Sequence, residues 1–316
     1  MSPLKRYLYT FACHEDEREL CELELRTLLG AAPSARGMYA ESGREIDPSR
    51  SPFVKMRLEV RCEAVSVAEL AVQAEQLELA EGATFKVVYA GGDRDGEPDY
   101  AARRAIEREI GARIRGRADM RRPARLLAVA RAGGRWLLGD GTPSEAVWLR
   151  HNAKPRSYST ALSTRVARAV VNIAVPEPDG VKAVDPCCGI GTVLIEAASM
   201  GIDIAGFDIN PLAVRGARAN LAHFGMPDLV RLADMRQLSG RYDAAIVDMP
   251  YNLCSRLPAA EQLEMLRSVR RLAPRAVIVT AEPVDGPLHE AGLAVLERCT
   301  VRKGAFSRQV IVCGEG

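Results

Sequence analysis

From residue 176 onward, apolar runs of strand length alternate with amphipathic stretches of helical spacing, and this alternation narrows the fold to a parallel sheet covered by helices. The sequence predicts strands over 181–185, 203–208, 229–233, 244–248 and 276–281. Helices are expected over 192–200, 211–224 and 259–272, with Pro211 in a first turn, where its missing N–H costs nothing. The last two apolar runs, 293–300 and 309–313, leave little room for a helix between them and predict a closing antiparallel hairpin. The expectation is a doubly wound α/β domain.

The first half reads as α+β. Residues 7–12 form a short β-rich run, and 16–29 a helix with leucines at 20, 23, 25, 28 and 29. Residues 53–62 alternate apolar and charged side chains as a half-buried strand does, and 67–78 return to helical spacing. A second cycle follows, with a strand at 83–89, a Gly91-Gly92-Asp93 turn and a helix at 99–114. Strands at 125–130 and 136–139 then flank the hairpin signal Gly133-Gly134. Between Arg150 and Pro176 there is no Asp or Glu, while Arg150, Lys154, Arg156, Arg165 and Arg168 occur, which marks a basic connection between the halves.

At 316 residues the chain exceeds one typical domain. Its formal charge of +2 requires any nucleic-acid contact to come from local basic surface and not from a global field. Such a surface is available. Residues 103–125 hold nine arginines, among them Arg103, Arg113, Arg115, Arg117, Arg121 and Arg122, against Glu107, Glu109 and Asp119. A strip of this kind neutralises phosphates with release of counterions, although a solvated helix face has the same composition. The first residues lack the apolar core of a signal peptide, and no run reaches the length of a membrane span. Eight cysteines without a C-x-x-C pair predict free thiols, no metal site and a cytoplasmic protein.

The motif Asp185-Pro186-Cys187-Cys188-Gly189-Ile190-Gly191-Thr192 stands where the first strand of the α/β half turns into its helix. Gly189 and Gly191 permit the sharp turn and close approach of a ligand. A dinucleotide fingerprint would place a third glycine at 194, where this chain has Leu194, so a pyrophosphate cradle is disfavoured. Asp208 ends the second strand, followed by Asn210, and can accept both ribose hydroxyls of an adenosine. Asp234, followed by Met235, comes after the third strand, placed for an exocyclic adenine amine. Each carboxylate alone reads equally as a helix cap. Their recurrence at successive strand ends favours a nucleoside site.

Asp248-Met249-Pro250-Tyr251 follows the fourth strand. A carboxylate there can accept one N–H of an amine, a backbone carbonyl the other, and the Tyr251 ring can stack on a planar base turned out of its helix. A strand-end loop with a buried tyrosine is the bland alternative.

On these motifs, residues 176–316 resemble the class I S-adenosylmethionine-dependent methyltransferases, which implies a Rossmann-like seven-stranded sheet ending in an antiparallel hairpin. Asp248-Met249-Pro250-Tyr251 resembles the [Asn/Asp/Ser]-Pro-Pro-[Tyr/Phe/Trp] signature of amino-group methyltransferases, with Met249 in place of the first proline and a looser loop expected from it. Residues 84–87, 105–111, 123–127 and 136–139 look like a THUMP RNA-binding domain, preceded by a ferredoxin-like unit. The order resembles the tRNA guanine-N2 methyltransferases. It implies a ferredoxin-like unit over 1–60, a THUMP-like domain over 61–148, a basic linker and helix over 149–175 and the methyltransferase domain over 176–316.

That resemblance implies S-adenosylmethionine as cofactor and tRNA as partner. Asp248, Pro250 and Tyr251 would act on the acceptor; Asp185, Cys187, Gly189, Gly191, Thr192, Asp208, Asn210, Asp234 and Met235 would hold the cofactor. Lys154 and Arg156 join the arginine strip as RNA contacts. Other readings stay open: an rRNA guanosine or an adenine amine as acceptor, a catalytically silent RNA-binding protein, or a nicotinamide oxidoreductase. The oligomeric state is open as well, a monomer included.

Overall fold

The computed structural model describes residues 5–158, 161–250, 257–304 and 306–315. Its contacts separate two compact units, one of Met1–Ala12 and Leu29–Glu145, the other of Cys13–Leu28 and Ala146–Gly316.

Along the first part of the chain run β1 (Tyr7–Phe11), α1 (Arg18–Leu29), β2 (Tyr39–Ser42), β3 (Val54–Ala64), α2 (Val67–Ala74), β4 (Thr84–Gly92), α3 (Tyr100–Gly111), β5 (Arg117–Ala118), β6 (Arg125–Ala132) and β7 (Arg135–Pro143). The seven strands form one sheet in the order β2-β1-β3-β7-β6-β4-β5. β3 explains why there is one sheet and not two. It pairs antiparallel with β1 along one edge and with β7 along the other. The boundary expected at residue 60 therefore falls inside a strand, and the ferredoxin-like and THUMP-like segments share their hydrogen bonding.

Apolar faces of α2 and α3, with Leu70, Ala71, Ala74 and Ile110, pack on Phe85, Val87, Leu127, Val129 and Leu138. Ser66 and Asp99 start these helices by accepting the N–H of Glu69 and Ala102, satisfying donors that a helix N-terminus leaves orphaned. The β6–β7 turn needs positive φ at both central residues, and Gly133 and Gly134 take φ of 60° and 79°. The Asp93 carboxylate accepts both of their N–H groups.

The second unit contains α4 (Thr164–Ala174), β8 (Lys182–Asp185), α5 (Thr192–Ser199), β9 (Asp203–Asp208), α6 (Pro211–His223), β10 (Val230–Leu232), β11 (Ala244–Asp248), α7 (Ala259–Leu272), β12 (Arg275–Thr280), α8 (Asp285–Glu290), β13 (Leu293–Lys303) and β14 (Phe306–Glu315). Its sheet has the order β10-β9-β8-β11-β12-β14-β13. β8 to β12 are parallel, and β14 is antiparallel to both β12 and β13. This is the class I methyltransferase fold with its closing hairpin. The short helix α8 was not expected from the sequence, because six residues carry too little periodicity to register.

Helix α1 was expected within the first module, yet residues 13–28 cluster with the second unit. Its polar side chains account for this. Buried Glu24 accepts from Asn172 Nδ2 of α4 at 2.6 Å, and Glu19 from the Thr300 N–H of β13 at 2.8 Å.

Candidate active site

β8 has β9 on one side and β11 on the other, so the strand order reverses at β8 and a crevice opens outside the carboxyl ends of these strands. A cleft of about 290 Å³ occupies that position. Asp185 ends β8, Asp208 ends β9, Asp234 follows β10 and Asp248 ends β11, and all four line it. Cys187, Gly189, Thr192, Met235 and Pro250 line it as well. Two residues expected at the cofactor stand one step behind. Gly191 begins α5 at φ 80°, a conformation that costs a side-chain-bearing residue, and Asn210 caps α6 by accepting the Leu212 N–H. Tyr251 lies outside the described residues.

The glycine turn is wired internally. Cys187 N–H donates to Asp185, Cys188 N–H to the Phe207 carbonyl, Gly189 N–H to Asp208 at 2.8 Å and Gly191 N–H to the Cys188 carbonyl. With these donors engaged, the turn is a poor cradle for a pyrophosphate, which needs free backbone N–H groups. Leu194, standing where a dinucleotide fingerprint has glycine, is fully buried against β9. The space it needs comes from Gly206, where a Cβ would collide with it.

The electrostatics of the cleft favour a cation. Asp185 is 3% exposed, and burial raises its carboxyl well above the usual range, with Asp248 and Asp208 adding like charge. Burial likewise raises Asp248 to about 7, against the opposing charge of Arg308. Asp248 Oδ1 and Thr192 Oγ1 are buried without a hydrogen-bond partner among the described residues. Unsatisfied buried polar atoms are costly, and both of these face a cleft in which a ligand can satisfy them.

Asp234 differs from its neighbours. Arg236 engages both of its oxygens, at 2.6 Å for the closest contact, and holds its carboxyl below the usual range. An adenine amine at Asp234 would have to displace this competitor. Met249 also proves tighter than the motif suggested. It is 3% exposed, and its N–H donates to the Val279 carbonyl at 2.8 Å, a bond that a proline there could not make.

Among the lining residues not assigned to the site from sequence, Tyr158 and Ile209 matter most. Tyr158 lies over the glycine turn so closely that a Cβ on Gly189 would strike its hydroxyl, and burial raises that phenol to about 12. Ile209, 64% exposed beside Asp208, presents an apolar surface suited to a nucleobase. The only sequence signal for either was adjacency to a motif.

The expected RNA contacts divide. Arg103 pairs with Glu97 at 2.9 Å and Arg113 with Glu75 at 2.7 Å. Arg115, Arg117, Arg121 and Arg122 are exposed and make no ion pair among the described residues. In the second unit Arg156 is exposed while Asn220 holds its backbone N–H and carbonyl. Lys154 is half-buried, and burial lowers its ammonium pKa.

Residues 151–284 match the family model described as UPF0020: RMKL-like, methyltransferase domain. A tRNA (guanine(10)-N2)-dimethyltransferase of Methanothermobacter thermautotrophicus is 35% identical over 181 residues, 52% of this chain and 51% of that protein. A tRNA (guanine(6)-N2)-methyltransferase of Archaeoglobus fulgidus is 26% identical over 55% of this chain and 52% of its own length. The chain thus spans about half the length of these curated relatives. Among solved structures, TrmN from Thermus thermophilus superposes with a TM-score of 0.52 at 22% identity, covering 98% of this chain and 100% of that one, which shows the fold.

Proposed function

We propose that this chain, built around a methyltransferase domain, transfers a methyl group from S-adenosylmethionine to the exocyclic N2 amine of a guanosine in tRNA. The polarity of the cleft carries the reading. Beside Asp234, which Arg236 already pairs, Asp185, Asp208 and Asp248 line a space where the turn's N–H groups are engaged, and burial pushes Asp185 and Asp248 toward protonation. A sulfonium with an amino group relieves that excess of negative charge, whereas a nicotinamide dinucleotide would bring a pyrophosphate into it.

When bound, S-adenosylmethionine supplies an activated methyl on a positively charged sulfur. The chain's own residues bind and orient. Asp208 keeps a lone pair on each oxygen for the ribose hydroxyls, Ile209 and Met235 flank the base, and Tyr158 covers the turn. Thr192 Oγ1 offers a hydroxyl to the ligand. Asp248, whose Oδ1 has no partner among the described residues, accepts an N–H of the guanine amine and the Pro250 carbonyl accepts the other, with stacking on the ring left to the motif's aromatic residue, Tyr251, as the sequence implies. The proton lost after transfer can pass to Asp248, whose pKa near 7 suits it to exchange protons at neutral pH.

The choice of guanine N2 and of tRNA rests on the relatives, whose names specify both. The exposed arginines between Arg115 and Arg122, without ion pairs among the described residues, support an RNA partner, and the THUMP-like part of the first unit is their scaffold. A cytoplasmic location goes with this substrate and with seven free cysteines among the described residues.

Transfer of labelled methyl to bulk unmodified tRNA tests the reading. Asp248→Ala is expected to lower kcat at least about 100-fold, as loss of an orienting acceptor does, with cofactor binding retained in calorimetry. Asp208→Ala is expected to weaken cofactor binding and spare RNA. Wild-type protein that binds the cofactor yet transfers nothing would leave a silent RNA binder in place of an enzyme.

A further inference from the structure

The second unit holds another cavity, of about 610 Å³, roughly twice the volume of the cofactor cleft. Ala161 lines both, so the two adjoin. Its walls come from three places that the sequence does not connect: the segment before α1, the start of α4 and the tip of the β13–β14 hairpin.

The charge in these walls is uneven. Glu17 is held by Arg165 at 2.7 Å, and Asp16 stands 3.4 Å from His14. Arg302 and Lys303, by contrast, are exposed at the hairpin tip and make no ion pair among the described residues. Beside them the Arg308 guanidinium stands 5.3 Å from the centroid of the Phe306 ring.

Phosphate-directed cations next to an aromatic–guanidinium pair are the make-up of single-stranded RNA sites, where an unstacked base lies on a π face and the backbone follows positive charge. A guanosine turned out toward Asp248 leaves its neighbour in the strand at the mouth of the cleft. We propose that this second cavity receives the nucleotide next to the target guanosine, with Arg302 and Lys303 taking its phosphates and the Phe306–Arg308 pair holding its base. This rests on the reading of the first cleft as a site of RNA methylation.

The test uses the full chain, with unmodified tRNA as ligand and S-adenosylhomocysteine binding as a check of folding. The R302E/K303E double variant is expected to lose about tenfold in tRNA affinity at fixed salt, and the plot of log Kd against log salt should flatten by about 1.4. KM for tRNA should rise, while kcat at saturating tRNA and S-adenosylhomocysteine affinity stay as in wild type. Phe306→Leu, which keeps an apolar side chain but removes the π face, should raise KM roughly tenfold, and Phe306→Tyr should restore it.

An unchanged salt slope in R302E/K303E, or wild-type KM in Phe306→Leu, overturns the proposal. In that event wild-type transfer is intact and only the variants fail to respond. A wild-type protein that moves no methyl to tRNA overturns the underlying reading and this one with it, and the two failures are told apart by the wild-type measurement alone.

Discussion

Asp248 must be ionised to take the proton that the amine sheds, yet its burial raises its carboxyl to about 7. The expected kcat/KM for tRNA therefore climbs as pH rises through about 7 and levels off above it; a flat profile between pH 5.5 and 8.5 would remove Asp248 from the acceptor site. The same shift sets a stability cost. A carboxyl whose folded pKa lies above the unfolded value of 3.8 holds its proton more tightly in the native state, so native stability falls as pH rises from about 4 to about 7. Asp248→Asn should then be more resistant to urea than wild type at pH 8, by about 2 kcal/mol, and the gain should fade at pH 4. Equal stability of the two proteins at both pH values would contradict the burial of an ionised group.

At the scale of elements, α4, α5 and the turn that contains His151 are joined by one buried carboxylate. Glu196, on α5, accepts from Arg168 of α4 at 2.8 Å and meets His151 Nδ1 at 2.6 Å, while Arg168 also donates to Ser199. Arg168, expected among the cations of the basic connection, is 2% exposed and structural. Glu196→Ala leaves that guanidinium buried without its carboxylate and should cost about 3–5 kcal/mol in denaturant unfolding. A loss below about 1 kcal/mol would mean that the guanidinium finds water or another partner. α5 carries Thr192 and follows the glycine turn, so the network also holds one wall of the cleft.

At the scale of the whole molecule, each unit has its own expected task, and the arginines make the division testable. Replacing Arg115, Arg117, Arg121 and Arg122 by Gln should weaken tRNA binding and flatten its salt dependence by up to about 3, since each phosphate contact adds a little under one to the slope. Cofactor affinity should not move, and a loss there would contradict the separation. Most of the α/β half was legible in the chain itself: parallel strands bounded by helices impose two distinct periodicities, and the carboxylates that close those strands fall at one sheet edge by topology alone. Asp185, Asp208, Asp234 and Asp248 could be placed for that reason. What the sequence could not supply were pairings between distant segments. β3 bridging both parts of the first sheet, α1 hydrogen-bonded to α4, Tyr158 over Gly189, and a basic cavity walled by residues near 16, 165 and 303 all depend on groups meeting across long stretches of chain. Local periodicity records which way a residue faces in its own element; only the packed tertiary structure decides what stands opposite.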